Sequence, residues 1–114
     1  MKSGGRIEAL ESPESIGQWA DEVFGPILEE GAPGWTTFLR AQKEWDELHS
    51  LFYQSDYEVG EVAKEMADVC IVLMRGLNSL GYPNMIDEKM AINRKRQWLP
   101  DGTGHGQHIK EDQP

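Results

Sequence analysis

Between Tyr57 and Leu80 the chain sets apolar residues at helical intervals and then stops distinguishing one face from another. Val59, Val62, Ala63, Met66, Val69, Cys70, Val72, Leu73 and Leu77 are too many for one narrow stripe on a helix. A helix that is apolar nearly all round in its second half has to lie at the centre of a bundle or against another subunit. The same segment carries Glu61, Glu65 and Asp68, whose spacings of four and three residues put them on one face. Asp68 stands between Met66-Ala67 and Val69-Cys70, which reads as a buried setting. A carboxylate there costs free energy unless it is paired or bound to a cation.

Other segments repeat the helical period. Ser12-Pro13 reads as an N-cap and first helical residue, Ile16, Trp19, Ala20, Val23 and Phe24 follow at helical spacing, and Gly25-Pro26 stops the run. A turn-rich connector over Glu29 to Gly34 leads to a second helix from near Trp35–Thr37 to about Phe52. Its apolar seam is Phe38, Ala41, Trp45, Leu48 and Phe52, with Glu44 and Glu47 beside it. Gly81-Tyr-Pro83 ends the third helix, and Asn84 can cap a fourth from Met85 to about Trp98. On that helix Lys89, Asn93 and Arg96 recur four and three residues apart. From Pro100 the chain is rich in Gly, His and Asp without periodicity. The expected class is therefore all-α: about four helices per subunit, completed by homo-oligomerisation as a homodimer or dimer of dimers. One domain is expected over residues 1–114, with its core over about 13–98 and an irregular tail over 99–114.

Charge narrows the functions. A net charge of −9 with no basic stripe argues against a nucleic-acid polymer as partner. No apolar run approaches a membrane span, and Met1 to Ser12 lacks the apolar core of a leader, so a reducing, cytoplasmic setting is expected. The single cysteine, Cys70, excludes a disulfide framework within one chain and reads as a buried free thiol.

Glu44 with Glu47, and Glu61 with Glu65 and Asp68, form two acidic stripes that can face each other if their helices pack antiparallel. Acids crowded in this way repel, and hard oxygen donors at this density suit Mg²⁺ or Mn²⁺. The stripe of Lys89, Asn93 and Arg96 supplies the complement: an ammonium, an amide and a guanidinium suited to phosphate oxygens. His49 lies about 140° round its helix from Glu44, away from the acids. Taken alone, each acidic pair also fits a solvated helix face, so a non-catalytic acidic interaction module stands as the competing reading.

In order, Glu44-x-x-Glu47, Glu65-x-x-Asp68 and Lys89-x-x-x-Asn93-x-x-Arg96 resemble the MazG-like all-α nucleoside triphosphate pyrophosphohydrolases. The resemblance covers about residues 35–98. It implies that Glu44, Glu47, Glu65 and Asp68 ligate Mg²⁺ or Mn²⁺, that Glu61 holds a further metal or orients the attacking water, and that Lys89, Asn93 and Arg96 contact phosphate. The implied reaction converts a nucleoside triphosphate and water to a monophosphate and pyrophosphate. Where many members double the first Glu, this chain has Lys43, which leaves the metal count open and offers a further cation for phosphate. The N-terminal helix with Trp19 and the tail from Asp101-Gly102-Thr103-Gly104 to His108 resemble those of short, often phage-borne members acting on dATP or dGTP, which implies purine deoxynucleotides and, for a phage protein, the host cytoplasm. Trp19, Phe24, Trp35, Phe38 and Trp45 are the candidate aromatic residues for a base pocket.

Overall fold

The computed structural model describes residues 10–110, and the chain forms two compact units, Met1–Pro83 and Asn84–Pro114. The lead-in up to residue 9 and the tail from residue 111 lie outside the described residues. The first unit holds α1 (Pro13–Phe24), α2 (Trp35–Leu51) and α3 (Val59–Ser79); the second holds α4 (Met85–Lys95), β1 (Gln97–Pro100) and β2 (Gly106–Ile109). The four expected helices are the four observed. Among the described residues no helix is long and apolar enough to cross a membrane.

Local chemistry fixes the helix ends. At α1 the Ser15 N–H donates to Ser12 Oγ at 3.1 Å and the Ser12 N–H to Ser15 Oγ at 2.8 Å, a reciprocal box followed by Pro13 in the first turn. The N-cap of α2 is Gly34 at φ 91°, which has no side chain to offer. Glu29 substitutes for it, accepting from the Gly34 N–H at 3.0 Å and the Thr36 N–H at 3.3 Å. Those bonds, that from Gly34 foremost, hold the Glu29 carboxyl below its ordinary pKa. At the end of α3 the Tyr82 N–H reaches Leu77 O at 2.9 Å and the Gly81 N–H reaches Asn78 O at 3.0 Å, with Gly81 at φ 88°.

As expected, α3 is central to the first unit, packing against both α1 and α2. A Cβ on Gly76 would collide with the Thr37 side chain and one on Gly17 with Asn78, so both helices approach α3 to backbone distance. These pairs, together with Asp21 beside Arg75 and Glu44 near Asp68, make α1 and α2 each antiparallel to α3. Among the described residues, Ile16, Ala20 and Leu48 are the buried hydrophobic ones.

The two neighbours cover only one side of α3, which corrects two expectations. Cys70 is exposed rather than buried, and so is Asp68. Val59, Met66 and Leu73 on the uncovered side are 80%, 50% and 46% exposed. With Cys70 they recur at intervals of seven, four and three residues, the spacing of a seam between helices.

In the second unit, α4 stops at Lys95 rather than near Trp98. The Arg96 backbone is extended (φ −86°, ψ 156°), and both its N–H and Trp98 Nε1 donate to Asn93 O, at 3.2 and 2.9 Å. The tail expected to be irregular forms an antiparallel hairpin, with Trp98 opposite His108 and their rings 5.7 Å apart. Its loop is an Asx turn. Asp101 Oδ1 accepts from the Thr103 N–H at 2.9 Å and Thr103 Oγ1 at 2.7 Å, while Gly102 and Gly104 take φ of 88° and 95°. Asp-Gly-Thr-Gly carried that turn signal.

Candidate acidic site

The antiparallel packing of α2 on α3 brings the two acidic stripes into one electrostatic field. Glu44 is buried, with 8% of its surface exposed, and makes an ion pair to Arg40 Nη2 at 3.7 Å one turn earlier on α2. Its pKa is raised, first by a hydrogen bond shared with the Glu47 carboxyl, then by burial and the charges of Glu47 and Asp68; Arg40 opposes these. Glu65 is half-buried, and burial raises its pKa too, reinforced by Asp68, Glu47 and Glu61. Glu44 therefore feels Glu47 and Asp68, and Glu65 feels Asp68, Glu47 and Glu61, so charge links the five acids predicted from the sequence across two helices.

Glu65 Oε2 is sealed from solvent and has no hydrogen-bond partner. A buried acceptor left unpaired is costly, and more so when surrounded by like charge. Among the described residues, no three His, Cys, Asp or Glu side chains are already drawn close enough to hold a metal ion. The donor set is nonetheless all oxygen, repelling, and includes that orphaned acceptor, which is the chemistry that fits a hard divalent cation. His49 lies away from this set, its Nε2 3.4 Å from the Tyr53 hydroxyl.

A cavity of about 660 Å³ opens between α1, α2 and α3 beside the acids. Glu44, Asp68 and Arg40 stand on its wall, and so do Trp19, Phe24, Ile71 and Arg75. Its volume lies in the range of small-molecule sites. Of the five aromatic residues proposed from the sequence, Trp19 and Phe24 line it; Trp35, Phe38 and Trp45 do not. Arg40 and Arg75 are the residues that sequence reasoning missed. A lone Arg inside a helical pattern carries no signal of its own, although Asp68, Ile71, Val72 and Arg75 do fall at one-face spacing.

Lys43 is exposed on α2. Lys89 and Asn93 lie on α4 in the second unit, Lys89 exposed and Asn93 half-buried. Arg96 is not the third member of a helical stripe, because the helix has ended before it. It lines a separate groove with Lys95, Lys110 and His108.

No family model, no curated protein and no solved structure matches the chain.

Proposed function

We propose that the chain is a metal-dependent nucleoside triphosphate pyrophosphohydrolase, forming a monophosphate and pyrophosphate from a (deoxy)nucleoside triphosphate and water. The observation that carries this reading is the repulsion that links Glu44 and Glu47 on α2 with Glu61, Glu65 and Asp68 on α3, with Glu44 and Asp68 on the wall of a cavity. Glu44, Glu47, Glu65 and Asp68 would hold Mg²⁺ or Mn²⁺. Bound there, the ion would neutralise phosphate charge and acidify a water for attack at the α-phosphorus. The like charge and burial that raise the pKa values of Glu44 and Glu65 are what a bound cation would relieve. Glu61 is assigned to orienting the attacking water or a further ion. Arg40, beside Glu44 on the cavity wall, is suited to a phosphate oxygen. Lys89, Asn93 and Arg96 are assigned to phosphate on the motif resemblance, and Lys43, which stands where many members have Glu, is assigned as a further cation for phosphate. Purine deoxynucleotides are the favoured substrates, and the cytoplasm, a host's if the gene is phage-borne, the favoured setting.

A homo-oligomer belongs to the same proposal. The uncovered seam of α3, through Val59, Met66, Cys70 and Leu73, is supported as a contact by its exposure and seam-like spacing.

Each nucleotide is incubated with the purified chain and Mn²⁺, and monophosphate and pyrophosphate are assayed. Pyrophosphate is expected with the wild type and at least a hundredfold less with Asp68→Asn, on the scale of losing a charge-stabilising group. A folded wild type that releases no pyrophosphate from any nucleotide overturns the enzyme reading in favour of the interaction module. Full turnover by Asp68→Asn overturns that ligand alone.

A further inference from the structure

We propose that Arg40 is a resident counter-charge for Glu44 that yields to the metal ion and then takes a phosphate oxygen of the substrate, an inference that rests on the pyrophosphohydrolase reading. Arg40 Nη2 lies 3.7 Å from Glu44 Oε2, one turn away on α2. Among the described residues this is the single ion pair made by any of the five acids. Glu44, pressed by the like charge of Glu47 and Asp68, thus has a cation beside it while its neighbours have none.

The pair is a weak device for holding the helix. Arg four residues before Glu is the less favourable orientation for such a pair, and at 3.7 Å no hydrogen bond closes it. The Glu44 side chain is 10% exposed and that of Arg40 59%, so the guanidinium can leave without unpacking the helix. Its donors are also uncommitted. Among the described residues the Arg40 guanidinium makes no hydrogen bond, unlike that of Arg75, whose Nη2 is spent on Gly25 O and Asp21 Oδ1.

Position gives those donors a target. Thr36, Thr37, Arg40 and Glu44 line the cavity at one-face spacing, which sets Arg40 between the acidic end and the threonines. A phosphate chain anchored at Glu44 and Asp68 and continuing into the cavity along α2 passes the guanidinium. Arg40 repels a divalent cation arriving at the carboxylate it faces. It attracts the triphosphate that follows, and its planar fork matches phosphate oxygens with parallel donors. The same charge therefore opposes the metal alone and favours the metal with nucleotide.

Titration calorimetry at pH 8 measures the affinity for Mn²⁺ alone and, at saturating Mn²⁺, for the α,β-imido analogue of dGTP, which is not cleaved. Arg40→Met is expected to bind Mn²⁺ alone roughly two- to fivefold more tightly, the scale of an exposed ion pair. It is expected to bind the analogue roughly tenfold or more weakly, the scale of a charged hydrogen bond. Arg40→Lys keeps the charge but not the fork, so it should hold Mn²⁺ like the wild type and the analogue less tightly. Mn²⁺ binding that is unchanged or weaker in Arg40→Met overturns the counter-charge, and unchanged binding of the analogue overturns the phosphate contact. Either result leaves the enzyme reading standing. A folded wild type that takes up no Mn²⁺ overturns the metal site and this inference with it.

Discussion

Replacing Gly76 by Ala tests whether the α2–α3 approach sets the site. In a helix interior the exchange alone stabilises by about 1 kcal/mol, because glycine loses more backbone freedom. Here the new methyl meets the Thr37 side chain, with Cγ2 and Oγ1 nearest and Thr37 Cβ at 3.1 Å. Overpacking of this kind costs about 1–3 kcal/mol. The net expectation is a loss of roughly 0–2 kcal/mol, or a fall of up to about 10 °C in Tm for a chain of this size. Thr37→Ala deletes the two nearest atoms, so the double variant should recover roughly 1–2 kcal/mol beyond additivity. Gly60, with nothing within 4 Å of its position, is the control: Gly60→Ala should stabilise by up to about 1 kcal/mol. Urea and thermal denaturation of all four variants in EDTA measure these terms. Stabilisation by Gly76→Ala alone, or strict additivity with Thr37→Ala, refutes the close approach.

Two further predictions concern the charges and the uncovered face. Glu44 and Glu65 have folded pKa values raised above 4.5, so the folded state binds the extra proton. Stability without metal should therefore fall as pH rises from about 4.5 through the folded pKa values, with the full penalty present above them. Glu44→Gln should flatten that slope and raise Tm in EDTA at neutral pH while abolishing stabilisation by Mn²⁺; a lower Tm in EDTA sinks the repulsion argument. Leu73→Glu should convert an oligomer to a monomer by light scattering, because the charge enters the seam; a monomeric wild type ends the oligomer proposal.

The periodicity of apolar residues located the first three helices, because burial of one face is a local pattern that a sequence displays directly; the fourth was placed by the Gly81-Tyr-Pro83 break, the Asn84 cap and the spacing of its polar residues. Ser12, Gly25 and Gly81 marked ends where they occur, since caps are made by the residues beside them. The hairpin was less legible. A period-two signal over four residues is weak, and Trp98 looks like the end of a helix until Asn93 O accepts its indole N–H. Burial was misread at Asp68 and Cys70 because apolar neighbours along a helix do not reveal which face a second helix covers.

The acids were legible and the arginines were not, for one physical reason. Carboxylates spaced by three and four residues on two helices announce an unresolved charge problem, and such a pattern constrains even when nothing is known of the packing. An arginine becomes meaningful only through its partners, and those of Arg75 come from residues 54 and 50 positions earlier, Asp21 and Gly25. Fixing a guanidinium that far from its sequence neighbours, while leaving Nε buried and unpaired, costs stability. Arg75 fastens α1 to α3, so Arg75→Met, which keeps the packing against Phe24 and loses both bonds, should lower Tm in EDTA, and an unchanged Tm refutes that role.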